Sequence, residues 1–253
     1  IACHNNGQYA LVVNTNPGNY PATLSGSGNG LNGIYVSGTL GGAEPAATWT
    51  WGANPLFPYI IATPVVPAGV TLNIAAGAVV KAQSSAQLAV NGTLNCQGTA
   101  AAPAMVGTRA ATVPVVDAPG AAHTVATDRL APAASAADAP VWFTSLKDDT
   151  HGGDTNADGA NSAPAPGDWY GILPNSGSTL TLNQTWLAYA GLGGYAPVYG
   201  TMNALNWTGG GTMNNAGYGV YASSPAISIS GVRARGNTWG MVFNPTGTAT
   251  VSN

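Results

Sequence analysis

Short apolar runs, rich in β-branched residues and broken by Gly, Asn or Pro, recur along the whole chain. They read GIYVSGTL (33–40), PYIIATPVV (58–66), GVTLNI (69–74), AVVKA (78–82), AQLAVNGTLN (86–95), PVWFTS (140–145), STLTLNQTWLAYAG (178–191), YGVYAS (218–223), AISISGV (226–232) and WGMVFN (239–244). Several alternate apolar and polar residues strictly, and none forms a convincing amphipathic helix. Close-set runs with period two predict many short strands and an all-β fold. A sandwich, a barrel and a solenoid all satisfy that pattern.

Internal repetition selects among them. Tyr218-Gly219-Val220 is echoed by Trp239-Gly240-Met241, 21 residues on, and Trp169-Tyr170-Gly171-Ile172 opens a similar phrase. A period in the low twenties corresponds to about one turn of a parallel β-helix. A single turn cannot bury its own apolar face, whereas stacked turns bury a continuous core. The phrases VPAGVTLNIAAGAVVKA (66–82), LAVNGTLNCQGTAAAP (88–103), PVWFTSLKDDTHGGDTNADG (140–159) and PAPGDWYGI (164–172) resemble the repeat region of bacterial surface and secreted adhesin-like proteins. That resemblance covers roughly residues 33–253. It implies a right-handed, single-stranded parallel β-helix of pectate-lyase-like architecture with long loop excursions. It implies fold more firmly than activity, since one fold hosts many functions.

Three segments depart from the repeat. Residues 1–32 are Asn- and Gly-rich and are expected to form an N-terminal cap or lead-in. AAAPAMV (100–106) and ADAPVWF (137–143) read as two versions of one junction, so the Ala/Pro-rich stretch near 107–136 between them is expected to be an insertion. Residues 146–166 form an acidic loop. The final TATVSN resembles an unfinished turn, and an uncapped end exposes an unpaired strand edge. Further chain, a partner or self-association through solenoid ends is therefore expected beyond Asn253. The chain begins at Ile1 rather than Met, as a mature form or a fragment would.

Composition narrows the function. Charged residues make up 6% of the chain, against roughly 25% in an ordinary soluble domain. The six basic residues, Lys81, Arg109, Arg129, Lys147, Arg233 and Arg235, are scattered. Binding of nucleic acid by phosphate neutralisation is therefore not expected. No apolar run reaches the roughly 18 residues of a membrane-spanning helix. Few Lys and Glu with much Asn, Thr and Gly suit an extracellular or cell-surface protein. Cys3 and Cys96 are the two cysteines. A disulfide between them would suit an oxidising compartment and close a long loop; the alternative is two free thiols.

The candidate chemistry concentrates in SLKDDTHGGDTNADG (145–159), which holds four of the nine acidic residues. Within it, Asp154-Thr-Asn156-Ala-Asp158-Gly159 has the D-x-N-x-D-G spacing that opens an EF-hand loop, with oxygen ligands on one side of a tight turn. The twelfth position is Ala165, where an EF-hand has its bidentate Glu, so the loop is not an EF-hand. Crowded carboxylates repel one another unless a cation neutralises them. The expected ligand set for Ca²⁺ is Asp148, Asp149, Asp154, Asn156, Asp158 and Asp168; the alternative is a solvated turn.

No catalytic constellation is visible. Arg233 and Arg235 share one face of a strand and are the best hint of a polysaccharide lyase or hydrolase, which would need them beside the acids. His4, His123 and His151 are scattered. Trp49 and Trp51 alternate in TWTWG, and Trp169, Tyr170, Trp186, Tyr189, Tyr195, Tyr199, Trp207, Tyr218, Tyr221 and Trp239 crowd the second half. Exposed aromatic rows can stack on sugars, whereas buried ones fill the core. The sequence therefore leads to a non-catalytic extracellular or cell-surface solenoid, serving as a structural or adhesion module that is Ca²⁺-stabilised. Polysaccharide or another surface protein is its expected partner. A lyase or hydrolase, and a subunit of a surface filament, pilus or S-layer, are the alternatives.

Overall fold

The computed structural model describes residues 2–13, 24–41, 47–54, 57–100 and 138–252. The stretch 107–136, expected as an insertion, lies outside them. The strands are β1 (Ala2–His4), β2 (Tyr9–Val13), β3 (Ser25–Ser27), β4 (Leu31–Val36), β5 (Thr48–Trp51), β6 (Tyr59–Ile61), β7 (Val65–Val66), β8 (Thr71–Ala75), β9 (Val79–Ala82), β10 (Gln87–Val90), β11 (Thr93–Gln97), β12 (Val141–Ser145), β13 (Gly171–Pro174), β14 (Thr179–Ala188), β15 (Tyr199–Thr201), β16 (Ala204–Met213), β17 (Tyr218–Ser230), β18 (Arg233–Arg235) and β19 (Trp239–Ser252). Among the described residues there is no α-helix, only a 3₁₀ turn at Leu192–Gly194. The protein is a β-solenoid of about nine turns.

Pairing between these strands is parallel, each strand lying beside its counterpart in the next turn. One face runs β2–β4–β6–β9–β12–β14–β16. A second runs β5–β8–β11 into the first half of β14. A third joins β7, β10 and β13. β14 serves two faces because it turns a corner at Gln184, whose φ is 40°. Solenoid pairing also reaches into residues 1–32: β1 pairs with β3, and β2 with β4.

The parallel register turns the period-two pattern into columns. Leu72, Leu94, Leu180, Leu205 and Ile227 stack inward, turn on turn, and Ile74, Cys96, Leu182, Trp207 and Ile229 form the next column. All ten are buried. Between the columns, Asn73 and Asn95 face outward, and the Asn95 amide donates to Asn73 Oδ1 at 2.9 Å, 22 residues away. Full burial of a side chain such as Leu contributes roughly 1.5–3 kcal/mol, so this repeated interior is what holds the turns together.

The columns also settle the cysteines. Cys96 occupies an interior position between Ile74 and Leu182, and Cys3 lies in β1, paired with β3. Both are free thiols in this structure, the second of the two alternatives, and each lies in a different turn. Among the described residues, no helix is long and apolar enough to cross a membrane.

Candidate metal site in the acidic loop

β12 ends at Ser145, and the chain then leaves the solenoid as the loop 146–166. The loop folds back over earlier turns. The Asn32 N–H, in β4, donates to the Thr155 carbonyl at 2.8 Å. Gly152 lies over Pro58, Val79 and Lys81, and a methyl group placed on its Cα would sit 3.3–3.4 Å from their side chains. The buried Lys81 Nζ donates to the Gly153 carbonyl.

Two hydrogen-bonded carboxylates anchor the loop ends. Asp148 is fully buried. Its carboxylate accepts from Thr144 Oγ1 at 2.6 Å, from the Thr150 N–H at 3.1 Å and from the Thr150 hydroxyl, and it pairs with His151 Nδ1 at 2.8 Å. Burial pushes the Asp148 carboxyl up, but hydrogen bonds from His151, Thr144 and Thr150 outweigh it and hold the group well below the usual carboxylate range. The His151 ring lies 3.7 Å from the Trp142 ring, which stacks at 5.6 Å on Trp186 of the next turn. At the far end, Asp168 accepts from Lys147 Nζ at 2.9 Å, from Ser145 Oγ at 2.7 Å and from the Ala165 N–H at 3.0 Å.

Between these anchors, Asp149, Asp154 and Asp158 converge, with one carboxylate oxygen from each lying within 4.8 Å of the others. Asp154 shapes the turn: its oxygens accept from the Asp158 N–H at 3.2 Å and the Gly159 N–H at 3.0 Å. Asn156 donates through Nδ2 to Asp158 Oδ2 at 2.8 Å and to Ser162 Oγ at 3.1 Å. That leaves three oxygens, Asp149 Oδ1, Asn156 Oδ1 and Asp158 Oδ1, buried with no hydrogen-bond donor. A buried acceptor without a donor is costly. Burial and the fields of Asp154, Asp158 and Asp148 push Asp149 up, with Lys81 opposing.

Of the six expected ligands, the structure thus gathers Asp149, Asp154 and Asp158 with Asn156 beside them. Asp148 and Asp168 stand outside the group because Thr144, Thr150 and His151, and Lys147 and Ser145, already occupy their oxygens. Nor do Arg233 and Arg235 join the acids. β18 pairs with β16, three strand steps beyond β12, or about 14 Å at about 4.8 Å per step, and the loop folds the opposite way. Lys81 is the site residue that sequence reasoning missed. Among the aromatics, Trp51, Trp169 and Trp207 fill the interior, whereas Tyr195, Tyr199 and Trp239 are exposed.

No protein-family model matches the chain, and no curated protein and no solved structure matches it.

Proposed function

We propose that this chain is a non-catalytic, extracellular or cell-surface β-solenoid, of the adhesin-like kind its repeats resemble, that serves as a structural and adhesion module. Ca²⁺ held by Asp149, Asp154, Asn156 and Asp158 fastens its acidic loop to the solenoid flank. One observation carries the reading: three carboxylates meet in one loop, and three inner oxygens of that group lack any donor. Hard oxygen donors in an irregular loop suit Ca²⁺, which takes six to eight oxygens and tolerates irregular geometry, better than Mg²⁺. The cation would offset carboxylate repulsion and pair the orphan oxygens, while backbone carbonyls and water complete its shell. A lyase reading draws no support from the geometry, because the arginines it needs sit turns away from the acids.

Equilibrium dialysis tests the site. The wild type is expected to bind Ca²⁺ with a Kd of roughly 10⁻⁴ to 10⁻³ M, the class of extracellular modules. Asp154→Ala/Asp158→Ala is expected to lose that binding while keeping the β-rich circular dichroism spectrum of the wild type in chelator. Equal binding by the two proteins would sink the reading.

A further inference from the structure

Away from the acidic loop, the face that carries β10, β13, β15 and β17 holds a recess of about 300 Å³, lined by Gln87, Tyr170, Leu173, Tyr195 and Tyr199. The parallel register builds its wall. Ile172 of β13 bridges to Val198, which sets Leu173 beside Tyr199, and Tyr199 pairs directly with Tyr221 of the following turn. Rings therefore repeat from turn to turn. Tyr195 and Tyr199 have centroids 4.7 Å apart, Tyr199 and Tyr221 5.3 Å, and Tyr221 and Tyr218 5.8 Å. Tyr218 then stacks at 6.1 Å on Trp239. The row is accessible: Tyr195 is 44% exposed and Tyr199 37%.

We infer that this row is a binding track for a neutral polysaccharide. Its chemistry selects that occupant on three counts. None of the five lining residues carries a charge, so the recess offers nothing to balance an ionic ligand. The tyrosine hydroxyls and the Gln87 amide supply donors and acceptors around the rings, which a purely apolar ligand would leave unpaired. Aromatic faces carry negative charge density, which favours the C–H-rich faces of sugar rings, and a row repeated at turn spacing fits a chain of repeating units. The inference deepens the adhesion reading by naming its ligand class, and it is independent of Ca²⁺.

Affinity electrophoresis in chelator tests it, with hydroxyethyl cellulose, galactomannan and amylopectin as neutral probes and polygalacturonate as the charged one. At least one neutral polymer is expected to retard the chain. Tyr195→Ala/Tyr199→Ala, two changes at exposed positions, is expected to weaken that retardation at least about tenfold. Val12→Ala, an exposed apolar change in β2, is expected to leave it intact. Retardation by none of the neutral polymers, retardation by polygalacturonate alone, or retardation that survives the double tyrosine change would overturn the track. Self-association that disappears in the double variant, without polymer binding, would overturn it in favour of a second copy of the chain. Because chelator is present throughout, failure of the Ca²⁺ site and failure of the track give different results.

Discussion

Lys81 shows how a residue can be legible in type and misread in place. Alternation in AVVKA points Val80 and Ala82 inward and should leave Lys81 in water. Lys81 is nonetheless fully buried, because the acidic loop of a later turn lies on that outer face, and strand periodicity carries no signal of what covers a strand. Burial lowers its ammonium to about 8, against the opposing pull of Asp148, Asp149 and Asp154. Below pH 8 both folded and unfolded chains hold the proton, and the folded state bears the full desolvation cost. Between about 8 and the ordinary 10.5, the unfolded chain holds it more, so stability climbs with pH. In chelator, urea melts of the wild type are expected to show that climb more strongly than Lys81→Met; identical pH profiles would contradict the burial. Cys96 carries a second expectation, since burial pushes its thiol up to about 12. Without reductant, a thiol reagent should find both cysteines in the unfolded chain and leave Cys96 unmodified in the native one. No free thiol after unfolding would restore the disulfide.

Among the strands, the solenoid was readable because every turn repeats the same demand. Phrases such as GVTLNI, AVVKA and PVWFTS fall on β8, β9 and β12, and YGVYAS and AISISGV merge into the single long β17. β16 falls between the apolar runs, because its Gly209-Gly210-Gly211 stretch breaks the alternation; these glycines pass the corner formed by Gln184 and Thr185. There Gly209 and Gly210 take φ of 65° and 74°, and any Cβ would run into those neighbours. The turns between strands are held by stacked asparagines, a further feature that composition announces without locating. Asn215 is buried: its Oδ1 accepts from the Ala190 N–H at 2.7 Å, and its Nδ2 donates to the Leu187 carbonyl at 3.2 Å and to Asn237 Oδ1 at 2.8 Å. Asn215→Ala leaves those groups unpaired and is expected to cost about 1–3 kcal/mol in urea unfolding. A loss within about 0.5 kcal/mol, the range of an ordinary surface change, would show that the ladder is incidental.

For the whole molecule, stability is close to a sum over turns and their neighbours, so a loop that spans several turns couples segments far apart in sequence. The loop 146–166 does this, joining β12 to β4 through Asn32 and to β9 through Lys81. The sequence located the acidic loop and the spacing of Asp154, Asn156 and Asp158. It did not reveal that Asp149 turns toward them while its neighbour Asp148 turns into the protein, because that choice depends on Thr144, Thr150 and His151 claiming Asp148. The central claim is that Ca²⁺ fastens this loop to the solenoid flank. Amide hydrogen exchange over residues 149–159, with and without millimolar Ca²⁺, tests it most directly. Exchange in that loop is expected to slow with Ca²⁺ in the wild type and to stay unchanged in Asp154→Ala/Asp158→Ala, while the interior strands β8, β11 and β14 exchange alike in every case. The same loop protection with and without Ca²⁺ in the wild type would contradict the account.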